Sequence, residues 1–209
     1  MTAKRKPTNK AASSSLAPPS RDRQRTRGEI LAAACRCFAT RGYAQSSVRT
    51  IAADAGITPA LVVRYFGSKR KLLVAAVERD LQLEPFLAGD RQTLGRTIVD
   101  TLTTKPPHEG DALATLLLAA TDPSLTSLLK RIIQQRLYDP LVQWLGGRHA
   151  ESRAALLLAT ISGAWMYRQL LPLPPLVGTL GEPTAALLAA TLQSLIDAPA
   201  AASGPRPKR

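Results

Sequence analysis

The side chains best suited to chemistry are concentrated between Ser46 and Leu73, in SSVRTIAADAGITPALVVRYFGSKRKLL. They offer hydrogen bonding and positive charge rather than bond-making. Hydroxyls stand at Ser46, Ser47 and Thr58, guanidinium groups at Arg49 and Arg64, and a cationic run at Lys69-Arg70-Lys71. Nothing comparable equips the chain for catalysis. The two histidines, His108 and His149, sit in polar, loop-like stretches, and no Gly-rich phosphate loop, nucleophile elbow or metal pair is present. Cys35 and Cys37 lack metal-ligand spacing. No catalytic residue, metal site or cofactor is expected.

The elements that must position these groups are short helices. Ser46 or Ser47 can cap the first, since a hydroxyl accepts a hydrogen bond from an orphan amide. Val48, Ile51, Ala52 and Ala55 then share one face at the helical period. Gly56 suits a left-handed stop. Thr58 is a second N-cap, with Pro59 at the first helical position. This second helix runs to about Tyr65, and Leu61, Val62, Tyr65 and Phe66 give it more apolar surface than one face needs. Two such helices around a glycine turn match the helix-turn-helix, whose second helix enters a DNA major groove.

Charge points the same way. Residues 1–20 carry +4, residues 21–80 +7, residues 81–197 −1 and residues 198–209 +3, within a net +13. The excess is confined to the first 80 residues and the last dozen, which implies a polyanion partner at one end and a different task for the rest. No basic amphipathic helix with a large apolar face favours a membrane surface. The longest apolar region, about Ala154 to Tyr167, falls short of the ~20 residues of a bilayer span. The basic N-terminus lacks an apolar signal core. The chain therefore reads as soluble and cytoplasmic.

All remaining patterns are helical, so the expected fold is all-α. Residues 1–21 read as a disordered basic tail that could dip into a minor groove or act as a plain leader. Residues 22–67 form a helix-turn-helix domain, residues 68–197 a helical domain, and residues 198–209 a second disordered tail. In the first helix, Arg23 to Thr40, the face Ile30, Ala33, Ala34, Cys37 and Phe38 turns to the core and ends at Gly42, with Cys35 on a different side. Ser68 caps a helix through Asp80. Further helices are expected over Arg91 to Thr103 (closed by Pro106-Pro107), Asp111 to Ala120, a run from Asp122-Pro123 kinked or broken at Pro140, Glu151 to Leu171, and Pro183 to Asp197. Leu171 to Gly181 must be extended.

The last two helices are apolar on several faces. Burial against a second copy, two helices from each protomer, resolves that better than a single core. The face assigned to this homodimer is Leu157, Ile161, Ala164, Leu187, Thr191 and Leu195.

The run Arg27 to Leu73 resembles the TetR family of bacterial transcriptional regulators. The resemblance rests on ILAAACRCFATRGY (Ile30 to Tyr43), SSVRTIAADAGI (Ser46 to Ile57) and YFGSK (Tyr65 to Lys69) leading into Leu72-Leu73. It implies that Ser47 binds a phosphate, that Thr58, Pro59 and Ala60 face base edges, and that Arg64 and Tyr65 reach a base or flanking phosphate. Lys69 is implied as a phosphate ligand, with Arg49 and Thr26 as further backbone contacts. Val63 departs from the tyrosine common at its position. A phosphate on the Ser68 amides would offset the unfavourable cations in that first turn, so Arg70 and Lys71 are expected to supply the contact Val63 cannot. Direct readout rests on few groups, Thr58 to Ala60 toward thymine methyls and Arg64 or Arg49 toward guanine.

The resemblance further implies a repressor, released from a palindromic operator when a small molecule binds the helical domain. The 120 or so residues beyond the head exceed a dimer handle, which favours an effector pocket. Its candidate lining is Gln134, Tyr138, Trp144, Trp165 and Met166, large side chains equally suited to a core. Arg168 could meet the partner subunit, Asp139 or an anionic effector. The effector is expected to be largely apolar. The alternatives are a constitutive basic DNA-binding protein, an activator of the same fold, or a helical enzyme.

Overall fold

The computed structural model describes residues 20–104 and 111–197, with the side chains of Ser20 and Arg21 left aside. The two basic tails, the Pro106-Pro107 stop and His108 lie outside the described residues. Among the described residues there are eleven α-helices and no strand.

Helix α1 (Ser20–Gln45) holds helical geometry until Gly42, whose φ of 72° and ψ of 169° set the last turn at an angle. Ile30, Ala33, Ala34 and Phe38 are fully buried, as expected. Cys35 is buried too, against expectation, because α1 is enclosed on more than one side. Its Sγ donates to the carbonyl of Ala76 at 3.6 Å on α4. Both cysteines are free thiols.

Helices α2 (Val48–Asp54), α3 (Pro59–Phe66) and α4 (Lys69–Asp80) complete the head. Their apolar anchors, Ile51, Ala52, Val62, Phe66, Leu72, Leu73 and Ala76, share one core with α1. That core continues into α7 (Ala112–Ala119) and α8 (Thr126–Ile133) through Leu116, Leu125, Leu128, Leu129 and Ile132. An Arg36–Asp54 ion pair at 2.6 Å and the Arg27 guanidinium, 5.3 Å from the Phe66 ring centroid, tie α1 to α2 and α3.

A second core joins α6 (Leu94–Thr104), α9 (Asp139–Leu145), α10 (Ala150–Gln169) and α11 (Glu182–Asp197). The short α5 (Glu84–Leu87) packs on this second core through Phe86 and Leu87 and is not legible in the sequence pattern. Gly95 lets α6 approach α11 closely: a Cβ there would lie 2.5 Å from the Ala189 carbonyl oxygen. Arg153 and Arg91 gather orphan carbonyls at the ends of α9 and α11, both reaching Leu145 and Ile196. A cation at a helix C-terminus also complements the dipole.

Two expectations about proline need correction. Pro140 does not break its helix: a π-helical turn, Gln134–Tyr138, precedes it and delivers the proline into the first turn of α9, where no N–H is needed. The segment 171–181 is not wholly extended, since Pro174–Leu176 forms a single 3₁₀ turn. Proline forbids continued α-helix but not one tight turn.

Candidate nucleic-acid interface and interior cavity

The recognition unit is assembled by local rules. Ser47 caps α2 through a reciprocal box, accepting from the Thr50 N–H at 3.0 Å while its own N–H donates to Thr50 Oγ1 at 2.8 Å. Ser46 is buried instead, its hydroxyl directed to the carbonyls of Cys37 and Gly42 at the end of α1. At the turn, Gly56 has φ 66°. Ile57 N–H donates to Ala52 and Gly56 N–H to Ala53, the paired bonds of a Schellman stop.

Helix α3 starts at Pro59 and is anchored inward by Val62 and Phe66. Thr58, Pro59, Ala60, Val63 and Arg64 are left exposed. The Thr58 hydroxyl makes no capping bond, so its hydrogen-bonding capacity is unspent. Tyr65 is half-buried beside Phe66. Thr26, on α1, is half-buried, and Arg49, on α2, is exposed.

At the start of α4 the Ser68 hydroxyl accepts from the Lys71 N–H at 3.2 Å. Arg70 and Lys71 are exposed, and neither they nor Arg49 and Arg64 make an ion pair among the described residues. Lys69 is different: its ammonium donates to the Tyr43 carbonyl at 2.9 Å and lies 4.0 Å from that ring's centroid. Burial pulls the Lys69 ammonium below the usual lysine range, with Asp122 opposing the shift. The expected phosphate ligand thus also makes a contact within the head.

The helical half holds a part-open cavity of about 220 Å³. Its walls come from every helix between the C-terminal end of α4 and α11 except α8, with Leu81, Phe86, Ile98, Leu141, Leu158 and Trp165 among them. Of the six residues proposed from sequence, Trp165 alone lines it. Gln134 and Tyr138 line a separate outer groove along α8 and the π turn. Trp144 is occupied elsewhere, under the Arg91 guanidinium and donating to the Leu87 carbonyl. Met166 is half-buried away from the cavity. Arg168 donates to the carbonyls of Leu176 and Thr103, not to Asp139, which is bonded by Gln134. A large side chain on a helix does not reveal which way it faces.

The same limit affects the proposed dimer face. Leu157 and Ile161 line the cavity, Leu157 fully buried in the protomer and Ile161 half-buried. Leu195 is half-buried in the protomer's own core. Leu187, Thr191 and the half-buried Ala164 remain accessible, and the neighbouring Leu156 and Tyr167 are exposed. Asp80 and Asp111 line the cavity and escape the sequence reading. A carboxylate opening the apolar run ALATLLLA was the available signal for Asp111.

Among the described residues no single helix is long and apolar enough to cross a membrane. Ala112–Ala119 with Pro123–Leu145 reaches the length and composition only as a pair bent by 112°.

A capped helix-turn-helix with an exposed second helix, carried on a helical body with an interior cavity, defines a DNA-binding transcriptional regulator. Residues 30–76 match the model for bacterial regulatory proteins of the tetR family, and residues 92–196 match the tetracyclin repressor-like C-terminal domain. The chain belongs to the tetR family. It is 35% identical over 78 residues to the HTH-type transcriptional activator FasR of Mycolicibacterium smegmatis, covering 37% of this chain and 34% of that protein. The match thus spans about a third of that relative's length. A TetR-family regulator from Streptomyces coelicolor is 25% identical in sequence, with a TM-score of 0.51 over 87% of this chain and 98% of that one. A transcriptional regulator from Saccharomonospora viridis, solved in complex with choline, is 20% identical, with a TM-score of 0.59 over 83% and 96%.

Proposed function

We propose that the protein is a homodimeric, cytoplasmic repressor that leaves a palindromic operator when a small molecule fills the cavity. One observation carries this reading: the cavity opens on Asp80 and Leu81 at the end of α4, whose other end, Ser68 to Lys71, follows directly on the recognition helix. A ligand there bears on the element that sets the head's angle. The choline bound by the Saccharomonospora neighbour accords with a small-molecule effector in this fold.

In this reading residues 22–67 act as the DNA head and 68–197 as the effector and dimer body. Thr58, Pro59, Ala60 and Arg64 meet bases. Ser47, Arg49, Tyr65, Arg70, Lys71 and Thr26 meet the backbone. Ala164, Leu187 and Thr191, joined by Leu156, meet the second copy. Leu187 is 71% exposed in the protomer and Leu156 53%, an apolar face that a partner would cover.

Activation in place of repression has one support, the 78-residue match to the activator FasR. Selection of bound duplexes from random DNA, followed by a promoter-reporter assay on the recovered site, tests both readings. Repression reads as higher reporter output on deletion of the protein, and activation as lower. Recovery of no specific site would favour a constitutive, non-specific DNA-binding protein.

A further inference from the structure

The charge inside the cavity is one-sided. Among the described residues, Asp80 and Asp111 are the only ionisable side chains that line it, set among aliphatic residues and the rings of Phe86 and Trp165. Asp111 is held in a fixed pose. Its Oδ1 caps α7, accepting from Leu113 N–H at 2.9 Å and Ala114 N–H at 3.1 Å, and its Oδ2 accepts the Trp165 indole N–H at 2.6 Å. None of the described cations forms an ion pair with it.

Asp80 is held by a different contact. Arg79 grips it with two hydrogen bonds, Nε to Oδ1 at 2.6 Å and Nη2 to Oδ2 at 2.8 Å. The same guanidinium reaches α1, donating to the Gly28 carbonyl at 3.4 Å and the Cys35 sulfur at 3.5 Å. One carboxylate thus faces the cavity while its partner arginine touches the first helix of the DNA head.

We infer that the cavity takes a lipophilic cation, an amine or quaternary ammonium with an apolar body, and that the Asp80–Arg79 pair passes its arrival to α1. The inference rests on the effector-gated reading above and names that effector's chemical class. Asp111, with no ion-pair partner among the described residues, attracts a cation and repels an anion in these apolar surroundings, and the low local dielectric strengthens both effects. The faces of Trp165 and Phe86 add a cation–π attraction. A cation near Asp80 competes with Arg79 for that carboxylate. Arg79 then loses the grip that aims it at Gly28 and Cys35. By linkage, fixing α1 against Arg79 must weaken the cation's binding to the same degree.

Titration calorimetry on the full chain with octyltrimethylammonium, 1-octanol and octanoate separates the ligand classes. The ammonium is expected to bind about tenfold or more tightly than the alcohol, with octanoate weakest. Asp111→Asn keeps a helix-capping oxygen and is expected to erase the ammonium's advantage while octanol binding stays. Octanol or octanoate matching the ammonium on the unmodified protein overturns the ligand class, whatever the variant does. Hydrogen exchange tests the relay. Saturating ammonium is expected to speed amide exchange around Gly28 to Cys35, and Arg79→Gln to make that stretch insensitive to ligand. Exchange in α1 that ignores the ammonium in the unmodified protein overturns the relay. Neither measurement uses DNA, so failure here is distinct from failure to find a specific operator.

Discussion

Lys69 on α4 closes against the end of α1: its ammonium sits 2.9 Å from the Tyr43 carbonyl oxygen and 4.0 Å from the Tyr43 ring centroid. One side chain thereby joins the start of the helix that leads into the cavity to the helix that supports the recognition unit. Lys69→Met keeps the aliphatic stem and removes both polar contacts. The loss is expected to be about 2–4 kcal/mol of unfolding free energy, the range of a cation–π contact plus a hydrogen bond to a charged group. Urea denaturation of the two proteins checks it. An unchanged midpoint would mean the contact contributes nothing.

Arg70 and Lys71 stand next to Lys69 with no ion pair among the described residues, free to meet phosphate. The double variant Arg70→Gln/Lys71→Gln is expected to flatten the plot of log affinity against log salt by about 0.9 for each lost phosphate contact. Fluorescence anisotropy on a labelled duplex across a salt series reads this directly. An identical slope would remove both residues from the backbone clamp.

The contrast among these three cations shows what a linear reading can and cannot reach. Ser47, Gly56 and Pro59 were legible because capping, left-handed turns and helix starts depend on neighbours within a few residues. Lys69's contact with Tyr43, 26 positions away, is tertiary and leaves no trace in the local pattern. The same divide runs through α10, where period alone could not say that Leu157 faces inward and Leu156 outward. The cavity was hardest to foresee, since its carboxylates come from the end of α4 and the cap of α7. Only the fold brings them together. Pro140 belongs with these, since the π turn Gln134–Tyr138 that leads into it has no signature in the local pattern.

Gly95 marks a close approach of α6 to α11. An added methyl would meet the Ala189 carbonyl at 2.5 Å and the Gln193 N at 2.9 Å, both backbone atoms that cannot swing aside. Gly95→Ala is expected to cost about 1–3 kcal/mol through overpacking, despite alanine's better helix propensity. A rise in thermal midpoint on this substitution would show that the two helices separate freely.

Burial pushes the Cys35 thiol up to about 12 from its ordinary 9.0, with Asp80 adding to the shift, and burial raises Cys37 as well. A thiol whose folded pKa is raised supports the fold fully below about pH 9, and that support is lost as pH climbs toward 12. Because the thiolate is the reactive form, native protein at pH 8 is expected to resist iodoacetamide while urea-unfolded protein takes up two labels. Mass spectrometry counts the labels. Fast labelling of native protein would contradict the buried, protonated state.

The central claim is that the exposed face of α3 reads DNA sequence. Its most direct test is paired binding isotherms on a selected duplex and a scrambled one of equal length, at one salt concentration, for the unmodified protein and Arg64→Ala. The account predicts that the unmodified protein prefers the selected duplex by about a thousandfold or more. It also predicts that Arg64→Ala lowers affinity for that duplex by about 1–3 kcal/mol while barely changing the scrambled one. Equal affinity for both duplexes, or an equal loss on both in the variant, would contradict it.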